Sequence, residues 1–276
     1  MTLQVQRWRE RRDSYRPAGE PIDVGRYGVE PLTGRHEAEA RAFVERHHYS
    51  GSYPASRLAV GLWRSRGAVW APELVGVAVL SVPMQPASIR RWLGRDPAEG
   101  VELGRFVLLD DVPANGESWF LRRAFAAVRR ELPEVRAVLA YSDPVRRESL
   151  DGTVVLPGHV GTIYQAHNGR YVGRASPRHL VLDPCGRIVS ERALSKIRRG
   201  ERGHRYATEA LLRAGAPPRR HGEDPAAWVE RALREGPFRR IRHPGNHTYA
   251  WPLDGRRDTA RELAPSAGAY PKLAAP

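Results

Sequence analysis

Two apolar runs of strand length bracket one amphipathic segment of helical period, and this unit constrains the fold more than any other part of the chain. Phe106, Val107, Leu108 and Leu109 form the first run, and residues 135–141 form the second, which ends at Asp143-Pro144. Between them Phe120, Ala124, Ala127, Val128 and Leu132 recur at helical spacing, while Arg122, Arg123, Arg129 and Arg130 fall mostly on the other face. Asn115 suits an N-cap and Pro133 a stop. The unit is strand, helix, strand. Arg105, Ser118, Asp143, His159 and Tyr164 collect around its strand ends, where open sheets usually build their sites.

The flanks extend this into a mixed α/β fold. Residues 58–63 and 73–82 read as antiparallel strands joined around Gly67. A helix starting at Thr33, anchored by Ala38, Ala42 and Phe43, runs into His47-His48-Tyr49-Ser50-Gly51 and a loop through Tyr53-Pro54. A short helix is expected around residues 89–93, and a surface loop or hairpin over 145–157. Residues 163–166 and 170–173 read as edge strands, which would put Thr162 and Tyr164 on one face. A hairpin is expected around Pro184-Cys185-Gly186, then helices over 207–214 and 225–234, and a closing strand over 248–253. The resulting division is a basic arm (1–20), a catalytic domain (21–190), a basic accessory region (191–253) and a disordered tail (254–276).

The net charge of +14 and pI near 10.7 suit a nucleic-acid partner, although Lys occurs only at Lys196 and Lys272 and the excess is nearly all Arg. Lys196, Arg198, Arg199, Arg202, Arg239 and Arg240 form clusters fit for phosphate contacts, with a solvated basic face as the plain alternative. The lone Cys185 excludes an intrachain disulfide and a multi-thiolate metal site, and suits a reducing cytoplasm. No apolar run approaches a membrane span, and the Arg-rich start lacks a signal-type core.

An ordered set of words, Leu103-Gly104-Arg105, Glu117-Ser118-Trp119, Ser142-Asp143-Pro144 and Gly158-His159-Val160-Gly161-Thr162-Ile163-Tyr164-Gln165-Ala166, resembles the Mom DNA-modification proteins of bacteriophages. Those proteins have a fold like the GNAT acyltransferases and modify adenine in DNA. The resemblance implies a mostly antiparallel central sheet flanked by helices, with a basic C-terminal extension. It implies conversion of adenine to an N6-carbamoylmethyl derivative in double-stranded DNA, serving anti-restriction in the cytoplasm of a bacterial host. Asp143, Tyr164, Ser118 and Arg105 are the catalytic candidates. His48, Tyr49, Tyr53, Gly116 and His159 are the substrate-binding ones. Asp143 suits a base for an exocyclic amine, Tyr164 an acid or a stacking surface, and the first-turn N–H groups at Gly116 and Ser118 an oxyanion. His48, Asp143 and His159 are candidates for an iron site of mixed nitrogen and oxygen ligands.

One departure concerns the donor. GNAT acyltransferases cradle the coenzyme A pyrophosphate in a Gly-rich loop, but here that loop reads Asp110-Asp111-Val112-Pro113-Ala114-Asn115-Gly116. Two carboxylates and a proline oppose acetyl-CoA. The alternative donor is an activated glycine such as glycyl-tRNA, because a carbamoylmethyl group is an isomer of a glycyl group on the same nitrogen. The rival readings are a coenzyme A-dependent N-acetyltransferase and a non-catalytic DNA-binding protein on the same scaffold.

Overall fold

A computed structural model describes residues 4–9, 12–17, 20–253 and 267–272, the first two segments as backbone only. The chain opens with a hairpin of β1 (Gln4–Arg9) and β2 (Arg12–Pro17), where the basic arm was expected. Then come β3 (Tyr27–Pro31), α1 (Arg35–His47), β4 (Ser56–Arg64), β5 (Glu73–Ser81) and α2 (Ala87–Leu93). The central unit is β6 (Gly100–Leu108), α3 (Asn115–Glu131) and β7 (Ala137–Ser142). A hairpin of β8 (Arg147–Glu148) and β9 (Val154–Leu156) precedes α4 (Thr162–Ala166), β10 (Arg170–Arg174) and β11 (Arg178–Leu182). The chain continues through α5 (Glu191–Arg199), α6 (His204–Arg213), α7 (Pro225–Glu235), β12 (Arg239–His243) and β13 (His247–Pro252). Among the described residues no helix is long and apolar enough to cross a membrane.

Seven strands form the main sheet, in the order β10-β13-β7-β6-β5-β4-β3. Its neighbours are antiparallel except β6 and β7. Both faces are covered, which is why β4 and β5 read as nearly continuous apolar runs rather than alternating ones. On one face α3 packs Phe120, Leu121, Ala124 and Val128 against Leu58, Val60, Leu62, Ala78 and Leu80. On the other, Ala40, Phe43 and Val44 of α1 meet Ala59, Val77, Val79 and Val107, and Ile89 and Leu93 of α2 meet Ala137 and Leu139.

The chain divides into two compact units that do not follow the linear boundary at residue 190. The first holds residues 1–144, 158–175 and 246–276; the second holds 145–157 and 176–245. The closing strand predicted over 248–253 therefore belongs with the main sheet, where β13 lies between β7 and β10. The tail also departs from expectation. Residues 254–266 and 273–276 lie outside the described set, but the Ala267 amide donates to the Tyr171 carbonyl (2.9 Å).

In the second unit, Leu194 and Ile197 of α5, Ala207 and Leu211 of α6, and Trp228, Val229 and Ala232 of α7 form a core of their own. β11 pairs mainly with β12; its expected partner contributes only the bridge between Leu182 and Ile188. Trp228 is fully buried and donates its indole N–H to the Pro217 carbonyl (2.9 Å). Trp228→Ala is expected to cost about 3–5 kcal/mol, measured as a lowered denaturant midpoint of the tryptophan-rich near-ultraviolet signal.

Candidate active site

Pairing between β6 and β7 is short. Gly100, Val101 and Glu102 face Ala137, Val138 and Leu139 in parallel, yet β6 runs on to Leu108 and β7 to Ser142. Past the third pair β6 follows β5 and β7 follows β13, so the strands part and open a V in the middle of the sheet. A bulge shapes one wall. The register to β5 shifts between Leu80↔Leu103 and Val79↔Arg105, leaving Gly104 as the extra residue. Strand alternation would put Glu102 and Arg105 on opposite faces; the bulge turns them onto one. A Cβ at Gly104 would overlap the Ser81 hydroxyl, so glycine is required there.

Arg105 is tied to the loop after α1. Its guanidinium donates to the Ser52 carbonyl (2.9 Å), the Ser52 hydroxyl (2.9 Å) and the Gly104 carbonyl (2.5 Å). In that loop the His48 and Tyr49 rings lie 4.1 Å apart, and Tyr49 meets the His159 ring edge-on at 6.1 Å. The Ser50 amide donates to His48 Nδ1 (3.2 Å), which assigns the ring proton to Nε2. Burial, then the positive charge of Arg105 and the neighbouring His159, hold the His48 imidazole well below its usual range.

Asp143 follows β7 and is buried. Its carbonyl accepts from the His159 amide (2.8 Å), so the two ends of the 145–157 insertion are joined at the site. Burial pushes the His159 imidazole down to about 4 against the pull of Asp143. Its Nε2 is buried without a hydrogen-bond partner, leaving a neutral imidazole nitrogen uncommitted.

Tyr164 corrects the sequence reading. It lies on the one-turn helix α4, not on a strand, so it does not share a strand face with Thr162. The helix starts at Gly161 in the left-handed region (φ +75°), where a Cβ would lie 2.7 Å from the Tyr164 ring and 2.8 Å from the Tyr249 ring. Tyr164 packs on Tyr249 (5.5 Å) and edge-on to Trp251 (5.7 Å), both on β13. Burial, then Tyr49, Glu102 and Tyr249, raise its phenol well above the usual range against Arg105. Its hydroxyl therefore stays protonated at neutral pH.

Two residues without an assigned role in the sequence reading complete the site. Glu102 is pushed up to about 7 by burial, against the pull of Arg105. Gly104 inside an apolar strand was the available signal for the bulge that places it. Gln165 Nε2 donates to the Val160 carbonyl, the Tyr249 hydroxyl and the Pro271 carbonyl, each at 3.0 Å, and so brings the tail to the site.

Of the four catalytic candidates, Arg105, Asp143 and Tyr164 converge; the fourth is Ser118. It sits half-buried in the first turn of α3, and no hydrogen bond or ring contact joins it to the others among the described residues. The helix begins at Asn115 with Ala114 as its N-cap, one residue earlier than expected. Gly116 is buried beside Val112 and Ile22, and Tyr53 carries the Arg41 guanidinium over its ring at 4.7 Å. Among the nucleic-acid candidates, Arg198 pairs with Glu191 (2.5 Å), Arg199 approaches Glu201 (3.7 Å), and Arg239 is tied to the Glu148 carbonyl. Lys196, Arg202 and Arg240 have no ion-pair partner among the described residues.

The iron expectation is not met by His48, Asp143 and His159: among the described residues no three His, Cys, Asp or Glu side chains form a metal-holding group. Coenzyme A also fits poorly. The Ala114 amide faces the Glu20 carboxylate (3.4 Å), while Gly116 and Glu117 donate to the carbonyls of Pro113 (2.8 Å) and Ala114 (3.2 Å). The donors a pyrophosphate needs are engaged, and Glu20 puts a negative charge in its place.

These features define an α/β protein with a buried titratable cluster at the split of a mostly antiparallel sheet. A profile of the Mom protein family matches residues 33–272, and the chain belongs to that family. It is 30% identical over 163 residues to the methylcarbamoylase mom of Escherichia phage Mu, an alignment covering 58% of this chain and 60% of that protein. A tandem GNAT protein from the clavulanic acid biosynthesis pathway, solved without acetyl-CoA, aligns with a TM-score of 0.42 at 11% identity, over 83% of this chain and 99% of that one.

The histidines make stability depend on pH. His159 and His247 are each lowered to about 4, burial being the main cause for both. The unfolded chain, with ordinary imidazoles near 6.5, then binds more protons between those values. Their contribution is complete above pH 6.5 and is lost as pH falls toward 4. The melting midpoint is expected to drop over that window, and less steeply in His159→Gln.

Proposed function

We propose that this protein modifies the exocyclic amine of adenine in double-stranded DNA, leaving an N6-carbamoylmethyl-type group. The observation that carries the reading is the meeting of Arg105, Asp143, His159 and Tyr164 where β6 and β7 part. The Mom family match supports this reading through the DNA modification that the family resemblance implies, and the name of the phage Mu relative, a methylcarbamoylase, supports the group transferred. The reading includes a phage origin, the cytoplasm of a bacterial host and protection from restriction, in keeping with the same kinship.

Each residue has a role in this reading. Adenine N6 lies inside the duplex, so the base is extruded and received by Tyr49 and His48. Asp143 and Tyr164 are 8% and 7% exposed, so admission of a purine requires the loop at His48–Ser52 to shift, and Arg105 holds that loop. Neutral His159, held beside Asp143, accepts the N6 proton. Arg105 faces the oxyanion of the acyl group, and the Tyr164 phenol protonates the leaving oxygen.

The donor in this reading is an activated glycine, such as the ester on glycyl-tRNA. Attack of N6 on the ester carbonyl forms the amide and releases the tRNA hydroxyl. The free glycyl amine then attacks adenine C6, and the original N6 departs as the carboxamide nitrogen. The adduct keeps every atom of the glycyl amide. The engaged amides at the start of α3 weigh against the coenzyme A alternative.

Nucleoside mass spectrometry of plasmid DNA, grown with and without the protein, is expected to show the added mass on deoxyadenosine only with it. Asp143→Ala and Tyr164→Phe are expected to abolish the mass, and Ser118→Ala to leave it. An unmodified plasmid with the wild-type protein and all host factors present would remove the assignment of function; active Asp143 and Tyr164 variants would remove only that of the site. Labelled glycyl-tRNA with duplex DNA tests the donor, and incorporation from acetyl-CoA instead would exclude it.

A further inference from the structure

The second compact unit carries a surface that the chemistry above does not use. Within it α5 and α6 are joined by four residues, 200–203, with Gly200 (φ +63°) and Gly203 (φ +89°) both in the left-handed region. Leu194 and Ile197 of α5 pack on Ala207 and Leu211 of α6, and α7 closes the same core. Two short helices, a glycine-bearing turn and a third helix bracing the first resemble the layout of helix-turn-helix modules.

The outer face of α6 lies opposite Ala207 and Leu211. Arg205, Tyr206, Glu209 and Arg213 occupy it, and Tyr206 is 73% exposed. The charges of α5 and α6 are handled differently. Arg192, Arg198 and Arg199 of α5 lie against Glu201 or Glu191. Arg202, in the turn, and Arg205 and Arg213, on α6, have no ion-pair partner among the described residues. A tyrosine this exposed beside unpaired guanidinium groups contributes little to packing.

Glu209 decides what the face fits. A face that only lay along phosphates would be weakened by a carboxylate at its middle, whereas base edges offer amino donors to a carboxylate and acceptor pairs to Arg. At 1.5 Å per residue α6 is about 15 Å long, and it is narrow enough for the major groove of B-form DNA. The major groove of A-form RNA is too deep and narrow for a helix. The geometry points to α6 as a recognition helix that enters the DNA major groove and selects sequence through Arg205, Tyr206 and Glu209, with Lys196 and Arg202 on the flanking phosphates. This rests on duplex DNA being the substrate and assigns the choice of site to the second unit.

The test uses the full-length protein. Its preferred sequence is selected from a random duplex library, and fluorescence anisotropy then compares selected duplex, random duplex and tRNA. The double variant Arg205→Gln, Glu209→Gln keeps the net charge, and Tyr206→Ala does not alter it; circular dichroism checks their folding. Each is expected to lower the selected-to-random affinity ratio about tenfold or more, with random-duplex affinity held within about twofold. In modified plasmid DNA the adduct should spread to new sequence contexts. Failure of selection to enrich a sequence would overturn the inference. So would an equal loss on both duplexes, which marks phosphate contact alone, or a loss confined to tRNA. Binding is read without catalysis, so an inactive donor system does not affect the outcome.

Discussion

The structure depends on the separation of two strands that begin as partners. β6 and β7 exchange hydrogen bonds over three residue pairs and then follow different neighbours. A sheet normally satisfies every backbone group with the next strand, so an interior opening is tolerated only where other groups fill it. Around this opening stand Glu102 and Arg105 from one strand, the Arg105 guanidinium donating to the Gly104 carbonyl, Asp143 from the end of the other, and Tyr164 and His159 from the segment that follows. Titratable groups are thereby concentrated where the backbone leaves room, and burial shifts most of them from their usual ranges.

Aromatic packing sets the second wall. Tyr249 lies fully buried on β13, with Tyr164, Tyr171 and Tyr270 around it at 5.5, 5.6 and 6.4 Å. Its hydroxyl donates to the Val160 carbonyl, which Gln165 also engages. The one-turn helix holding Tyr164 is too short to be stable alone. It is held by Gly161 at its start and by these rings against its side. The position of a catalytic candidate is therefore fixed by a strand that comes some eighty residues later in the chain.

That dependence explains what could be read in advance. β4, β5, β6, α3 and β7 were legible because each owes its form to a local period and to punctuation by Gly, Pro or acids. Arg105 and Asp143 were legible as polar residues at strand ends. Thr162-Ile163-Tyr164-Gln165-Ala166 was misread as a strand because its β-branched and aromatic residues favour one, and the packing that overrides them is remote. Glu102 was underestimated because a one-residue bulge moved it onto Arg105's face, and residue 190 proved no boundary because strands of the main sheet return after it.

The place of β13 also bears on how the protein is made. Ala137 on β7 pairs with Pro252, and β10 takes its partner from the same late strand. Until residues 247–252 have left the ribosome, the nascent sheet presents two open strand edges, a template for pairing with other chains. A message cut short before that point would yield an aggregation-prone fragment rather than a smaller folded protein. Synthesis of β13 thus acts as the checkpoint at which the buried cluster is assembled.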